Sequence, residues 1–325
     1  MKIVIIHRQP KVGAYSIENL FHTLADELRN LGEEIIEYEV GPRTHLLSDI
    51  RALRKLDADI YHVTGDVNYL VLFLPWHNTV LTVHDIGHFL FGLTGWKKWL
   101  YKWLWLLLPM RLARRVTAVS SATRDHIVEY LGLSAKNIVV IDNCYSSQYK
   151  SIPQPFNKNC PRILQVGTKP YKNVPRLIRA LQDIPCRLIL IGELDADITV
   201  ALTETGVQFE NYIGISQEEL FRQYAGADMV SFVSIGEGFG VPIIEAQAVG
   251  RPLITANIPP MYVAAGHGAY LADPLDINSI RTGILKIIHD DEYRGHIVKS
   301  GFKNAERYAP KTVATYYFNQ YFEIK

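Results

Sequence analysis

The chain has little sulfur and almost no net charge. Its three cysteines, Cys144, Cys160 and Cys186, are odd in number and lack metal-ligand spacing. That argues against a disulfide framework or a cysteine zinc site, and the thiols read as reduced ones in a cytoplasmic protein. A net charge of +1 supplies no global pull toward nucleic acid. No apolar run reaches the length needed to span a bilayer. Residues 1–7 lack the longer apolar region and cleavage site of a signal peptide, and read as a short strand. There is no repeat at solenoid spacing and no low-complexity segment. What remains is ordinary globular composition, 48% hydrophobic and 21% charged, with length enough for two domains.

Short β-branched runs alternate with longer helical patterns. Strands are expected at 2–7, 34–40, 59–63, 79–83, 116–119 and 138–141, and in a second series at 162–166, 187–191, 207–209, 229–233 and 253–255. Several are continuous apolar runs, the mark of parallel strands buried on both faces. Helical spacing at 17–31, 122–131, 174–182, 217–224 and 243–248 falls between them. This alternation predicts an α/β protein of two Rossmann-like, doubly wound domains facing across a cleft. The proline-rich stretch 146–161 reads as the linker, giving domains at 1–150 and 151–308. In such sheets ligands lie beyond the carboxyl ends of the strands.

The most informative stretch is Gly236-Glu237-Gly238-Phe239-Gly240-Val241-Pro242-Ile243-Ile244-Glu245-Ala246. Its glycines permit close backbone approach, and Pro242 suits the first turn of a helix whose N-terminal amides would face an anion. Glu237 and Glu245 are suited to accept hydrogen bonds from hydroxyls. Amides for an anion and carboxylates for hydroxyls suit a sugar joined to a phosphate. Glu245 has a plainer reading as a charge near a helix start. Upstream, Gly167-Thr168-Lys169-Pro170-Tyr171-Lys172-Asn173 follows a strand and precedes a helix. Lys169 and Lys172 are cations suited to phosphate there, or ordinary solvated lysines. Two Asp-x-Asp sequences, Asp57-Ala58-Asp59 and Asp195-Ala196-Asp197, are too few ligands to imply a metal.

Residues 95–115, GWKKWLYKWLWLLLPMRLARR, hold six cations, no acid and four of the five tryptophans. Two readings stand: a helix lying in a membrane interface, or one packing its apolar side on the first sheet. Residues 311–324 form an aromatic helical pattern that needs a surface to bury against.

Taken in order, these motifs resemble the retaining glycosyltransferases of family four, which have GT-B architecture. The resemblance rests on Val166-Gly167-Thr168 with Lys172-Asn173, on Gly214 followed by Ser216-Gln217-Glu218-Glu219-Leu220, on residues 225–228, on the paired-glutamate loop and on Gly250-Arg251-Pro252. Val83-His84-Asp85 and Ala118-Val119-Ser120 add to it in the first domain. It covers essentially the whole chain and is strongest over 167–252.

The resemblance implies that Glu237 binds hydroxyls of the transferred sugar, that amides near Gly238, Phe239 and Gly240 hold sugar and diphosphate, and that Glu245 binds the ribose. It implies that Lys172, beside Gly167, neutralises the diphosphate, that His84 approaches the sugar and that Gly13 brings an amide to the diphosphate. It also implies that the final helix, 309–325, crosses back to the first domain. There are departures. Thr168 stands where many relatives carry arginine, with Lys169 as a substitute cation, and Asp142-Asn143-Cys144 replaces a common Pro-Asn-Gly. Asn143 is read either as a sugar contact or as a turn residue, and Ser120 as a substrate contact or a helix cap. His84-Asp85 is also readable as a satisfied pair at a strand end.

The expected activity is retaining transfer of a sugar from a UDP- or GDP-sugar to a hydroxyl of a glycan or lipid-linked acceptor, in surface polysaccharide synthesis. No metal or other cofactor and no nucleic acid is expected. The expected place is the cytoplasm, at the inner face of the membrane if 95–115 touches lipid. The alternatives are a sugar-nucleotide epimerase of the same architecture and a non-catalytic sugar-nucleotide-binding scaffold.

Overall fold

A computed structural model describes residues 1–9 and 16–325. The chain forms two compact units, one of residues 1–144 and 310–325, the other of residues 145–309. Gly13 lies outside the described residues.

The first unit is built on a six-stranded parallel sheet. Its strands are β1 (Lys2–His7), β2 (Glu34–Glu39), β3 (Ile60–Val63), β4 (Thr79–Val83), β5 (Arg115–Ala118) and β6 (Ile138–Val140). Their order is β2-β1-β3-β4-β5-β6. In β1 every residue from Ile3 to Ile6 is fully buried, because both faces are covered. Val4 and Ile6 join Val63 and Leu81 on one face, while Ile3 and Ile5 join Ile60 and Val80 on the other. That is the two-residue alternation of a strand, applied to an unbroken apolar run. The second face is closed by the helix Ser16–Asn30 and by the final helix Pro310–Ile324, whose Val313, Tyr317 and Tyr321 are buried in this unit.

The second unit repeats the plan. β7 (Arg162–Val166), β8 (Arg187–Ile191), β9 (Phe209–Tyr212), β10 (Met229–Phe232), β11 (Leu253–Ala256) and β12 (Tyr270–Ala272) pair in parallel in the order β12-β11-β10-β7-β8-β9. The strand expected at 207–209 lies later in the chain, at Phe209–Tyr212, and β12 was not expected. Both are edge strands: β9 mixes polar and apolar residues, and β12 is only three residues long. The helices Ala196–Thr205, Ile277–His289 and Asp291–Ala305 also exceed the sequence reading.

Candidate functional site

Two loops at the carboxyl ends of neighbouring strands β7 and β10 come together in the second unit. β7 is followed by Gly167, whose φ of +86° is costly for any residue with a Cβ. A Cβ there would also lie 2.8 Å from Cε of Lys172, so the glycine makes room for the lysine stem. Lys172 closes a short turn, Pro170–Lys172, and the left-handed Asn173 follows. Asn173 Nδ2 donates to the carbonyls of Val233 at 3.0 Å and Pro274 at 2.6 Å, tying the turn to the β10 side. The Ile235 amide donates to the Tyr171 carbonyl at 2.8 Å and joins the two loops directly.

The result is an ion pair. Lys172 Nζ lies 2.7 Å from Glu237 Oε1, and each side chain is 13% exposed. The ammonium also sits 4.5 Å from the centroid of the Phe232 ring, a cation–π contact that holds it in place. Gly240, at φ +109°, starts the buried helix Val241–Val249 with Pro242 in its first turn. Phe239 turns inward and packs edge-on against Tyr308, with ring centroids 5.6 Å apart. Its side chain is therefore core, and only its backbone is available to a ligand.

Glu245 is 8% exposed, and burial raises its carboxyl to about 7 despite a hydrogen bond from Tyr224, the neighbouring Tyr149 and the charge of Lys172, all of which favour the ionised form. Tyr224 Oη donates to Glu245 Oε2 at 2.7 Å. Arg251 fixes that tyrosine in turn, donating to the Tyr224 carbonyl at 3.1 Å and to the Ala225 and Ile152 carbonyls at 2.8 Å. The Gly250-Arg251-Pro252 motif thus clamps the end of the helix Gln217–Gly226. Tyr149, Tyr224 and the Arg251 clamp were missed in the sequence, where nothing links residues so far apart to Glu245. Thr168 is buried over Gly192, where an added Cβ would lie 2.4 Å from Thr168 Oγ1. Lys169 is exposed at the start of the turn and makes no ion pair among the described residues.

In the first unit His84 follows β4 and lines a cavity of about 160 Å³ together with Arg8, Asp66, Asp85, Tyr101 and Trp105. His84 Nε2 donates to the Thr64 carbonyl at 2.7 Å, and burial holds the imidazole below its ordinary pKa. The ring is therefore neutral at pH 7, with Nδ1 as its acceptor. Gly65, at φ +116°, permits this packing, since its Cβ would lie 2.7 Å from His84 Cδ2. Arg8 pairs with Glu18 and Asp66 at the same cavity. Ser120 Oγ accepts from the Thr123 amide at 3.0 Å and caps the helix Ser121–Leu131. Asn143 is buried shortly after β6. The two Asp-x-Asp sequences have structural duties: Asp59 accepts from the Lys2 amide at 2.8 Å, and Asp195 caps its helix through the Ile198 amide at 2.9 Å.

The family described as glycosyl transferases group 1 matches residues 149–304, and that described as Glycosyltransferase Family 4 matches residues 37–148. The chain belongs to the family-four glycosyltransferases. Among curated family relatives, O-antigen chain mannosyltransferase B of Escherichia coli is 29% identical over 64% of this chain and 60% of its own length. O-antigen chain mannosyltransferase RfbU of Salmonella typhimurium is 28% identical over 65% of this chain and 61% of its own. The chain thus spans about 60% of the length of these two relatives. Among solved structures, Anabaena Alr3699/HepE in complex with UDP and glucose aligns with a TM-score of 0.80 at 18% identity, over 99% of this chain and all of that one. Sucrose-phosphate synthase from Thermosynechococcus elongatus aligns with a TM-score of 0.80 at 16% identity, over 100% and 99% of the two chains. The fold is that of the GT-B glycosyltransferases.

Proposed function

We propose that this protein transfers a hexose, with retention at the anomeric carbon, from a UDP- or GDP-sugar to a hydroxyl of a glycan or lipid-linked acceptor in surface polysaccharide synthesis. The observation that carries the reading is the Lys172–Glu237 pair at 2.7 Å, followed in the next helix by the buried Glu245. A cation for the diphosphate, a carboxylate for sugar hydroxyls and a second carboxylate for the ribose are what a nucleotide sugar needs. The O-antigen mannosyltransferases support the polysaccharide setting, and the UDP and glucose of HepE support a nucleotide-sugar donor.

In this reading the bond between the anomeric carbon and the diphosphate oxygen breaks, and its electron pair leaves with the diphosphate beside Lys172, with Lys169 as the nearby second cation. Amides of 238–240 at the helix start add to that stabilisation. The acceptor oxygen bonds to the anomeric carbon on the leaving-group face, and its proton passes to the departing phosphate. Glu237 orients the sugar through its hydroxyls. Asn143 adds a polar contact in the first unit, while Ser120 acts there through its helix cap. No metal takes part. The setting is the cytoplasmic side of a membrane, with 95–115 as the point of contact.

A thermal-shift panel of UDP- and GDP-hexoses tests the donor. A true donor at 100 times its dissociation constant adds about 2.7 kcal/mol of stability. Transfer to a glycan extract is then assayed, and full activity in Glu237→Ala would refute the site. Release of an epimerised nucleotide sugar without acceptor would replace transfer by epimerisation.

A further inference from the structure

The helical segment of residues 95–112 has two working faces. It runs as the helix Gly95–Tyr101, wider π turns over Lys102–Leu107 and the helix Leu108–Leu112. Its inner face joins the core through Leu106, Leu107 and Met110, and gives Tyr101 and Trp105 to the wall of the His84 cavity. An ordinary core helix would turn polar side chains outward. This one does not. Trp96, Trp99, Leu100 and Leu104 are 71%, 63%, 40% and 42% exposed. Their spacing of three and four residues places them along one side. Trp76, 49% exposed, belongs to the same neighbourhood, because its carbonyl accepts from the Arg114 amide at 3.1 Å.

The charges carried by this segment have one sign. Lys97, Arg111 and Arg114 are exposed, and 95–115 contains no acid. Lys98 and Lys102 have different work: their ammonium groups donate to the Leu90 carbonyl at 3.3 Å and the Tyr130 carbonyl at 3.2 Å. Tryptophan and leucine flanked by exposed cations match the boundary between acyl chains and anionic headgroups. Among the described residues no helix is long and apolar enough to cross a membrane.

We propose that the outer face of 95–112 seats the protein on an anionic lipid surface, with Trp96, Trp99, Leu100 and Leu104 entering the headgroup boundary and Lys97, Arg111 and Arg114 meeting lipid phosphates. The proposal rests on the transferase reading in one respect. The seated helix is also a cavity wall, so His84 lies about one helix diameter, ~10 Å, from the lipid surface, and the acceptor is a sugar carried on a lipid.

Flotation of the full chain with phosphatidylglycerol–phosphatidylcholine vesicles tests the seating. The protein should float with these and not with phosphatidylcholine alone, and high salt should weaken binding. Trp96→Ser/Trp99→Ser/Leu104→Ser should abolish flotation, and Lys97→Glu/Arg111→Glu should lower the partition coefficient about tenfold. All five positions are exposed, so both variants should keep the wild-type melting temperature and nucleotide-sugar thermal shift. The proposal is overturned if wild-type protein does not float, or if both variants float like wild type. It is also overturned if vesicle-free protein sediments as a dimer that the triple variant makes monomeric, since the face is then a self-interface. Loss of flotation with the nucleotide-sugar shift retained in wild type sinks the seating alone. Flotation without any nucleotide-sugar shift sinks the transferase reading alone.

Discussion

Lys172 and Glu237 form an ion pair, and both are largely withdrawn from water. Removing one partner leaves the other charge in a partly dry site. Lys172→Met should therefore destabilise the second unit by about 1–2 kcal/mol, and the double variant with Glu237→Gln should lose less than the sum of the two single changes. Urea midpoints read by far-UV circular dichroism check this; strict additivity would mean the pair does not couple. Glu245 makes a pH prediction. Its carboxyl titrates at about 7 in the folded chain against an ordinary 4.5. The folded state thus holds a proton that the unfolded state releases between those values, and stability conferred by that proton is lost as pH rises from 4.5 through 7. Nucleotide affinity should move the other way, because ribose hydroxyls need the ionised acceptor. Calorimetric affinity should fall about tenfold from pH 7.5 to 6. Glu245→Gln should flatten that dependence, and an unchanged slope would remove Glu245 from the ribose. The sequence pattern picked out both glutamates and both lysines because glycine, proline and charge cluster locally there. It did not reveal Tyr224 or Tyr149, whose partner lies on another element, nor that Phe239 turns its ring into the core.

Elements were legible where burial is two-sided. Strands β1, β4, β7 and β8 have the bounds expected from their apolar runs, since an interior parallel strand has no polar face to blur its ends. β9 was shifted because Phe209-Glu210-Asn211-Tyr212 mixes polar and apolar residues, and β12 was missed because it is only three residues long. The packing of Val241–Val249 on Asp291–Ala305 was illegible for another reason: it depends on glycines meeting across sequence. A Cβ on Gly268 would lie 2.4 Å from Gly301 Cα and 2.5 Å from Gln247 Nε2. The same Gln247 nitrogen donates to the Ala265 carbonyl at 2.8 Å, and its Oε1 accepts from Asn304 at 2.8 Å. Backbone cannot give way as a flexible side chain can. Gly268→Ala should thus cost about 1–3 kcal/mol and push apart the helix that carries Glu245 and the helix behind it. A lowered urea midpoint for the second unit, with weakened nucleotide-sugar binding, is the expected result. Wild-type stability would show that the helices separate without penalty.

The chain builds most of its first unit, then the whole second unit, and returns with residues 310–325 to finish the first. The return is structural, because it completes a buried polar chain. His62 is fully buried, and its Nδ1 lies 2.6 Å from Tyr321 Oη and its Nε2 2.7 Å from Thr82 Oγ1. Thr82 Oγ1 in turn lies 2.7 Å from Thr117 Oγ1, linking β3, β4 and β5 to the last helix. Burial pushes the His62 imidazole down to about 3, so it stays neutral and needs both partners as hydrogen-bonding groups. Tyr321→Phe strands one ring nitrogen and should cost the first unit about 1–3 kcal/mol. Truncation after Ala309 does more, uncovering the sheet face that Val313, Tyr317 and Tyr321 close. The chain supplies its own reporter, since all five tryptophans fall between Trp76 and Trp105, in the first unit. Tryptophan emission in urea should therefore shift to a lower midpoint in Tyr321→Phe and show a solvent-exposed spectrum without urea in the truncated chain. The second unit, which contains the Lys172–Glu237 pair and has no tryptophan, should keep its nucleotide-sugar thermal shift in Tyr321→Phe. An unshifted emission midpoint in that variant would mean that the His62 chain contributes nothing to holding the last helix.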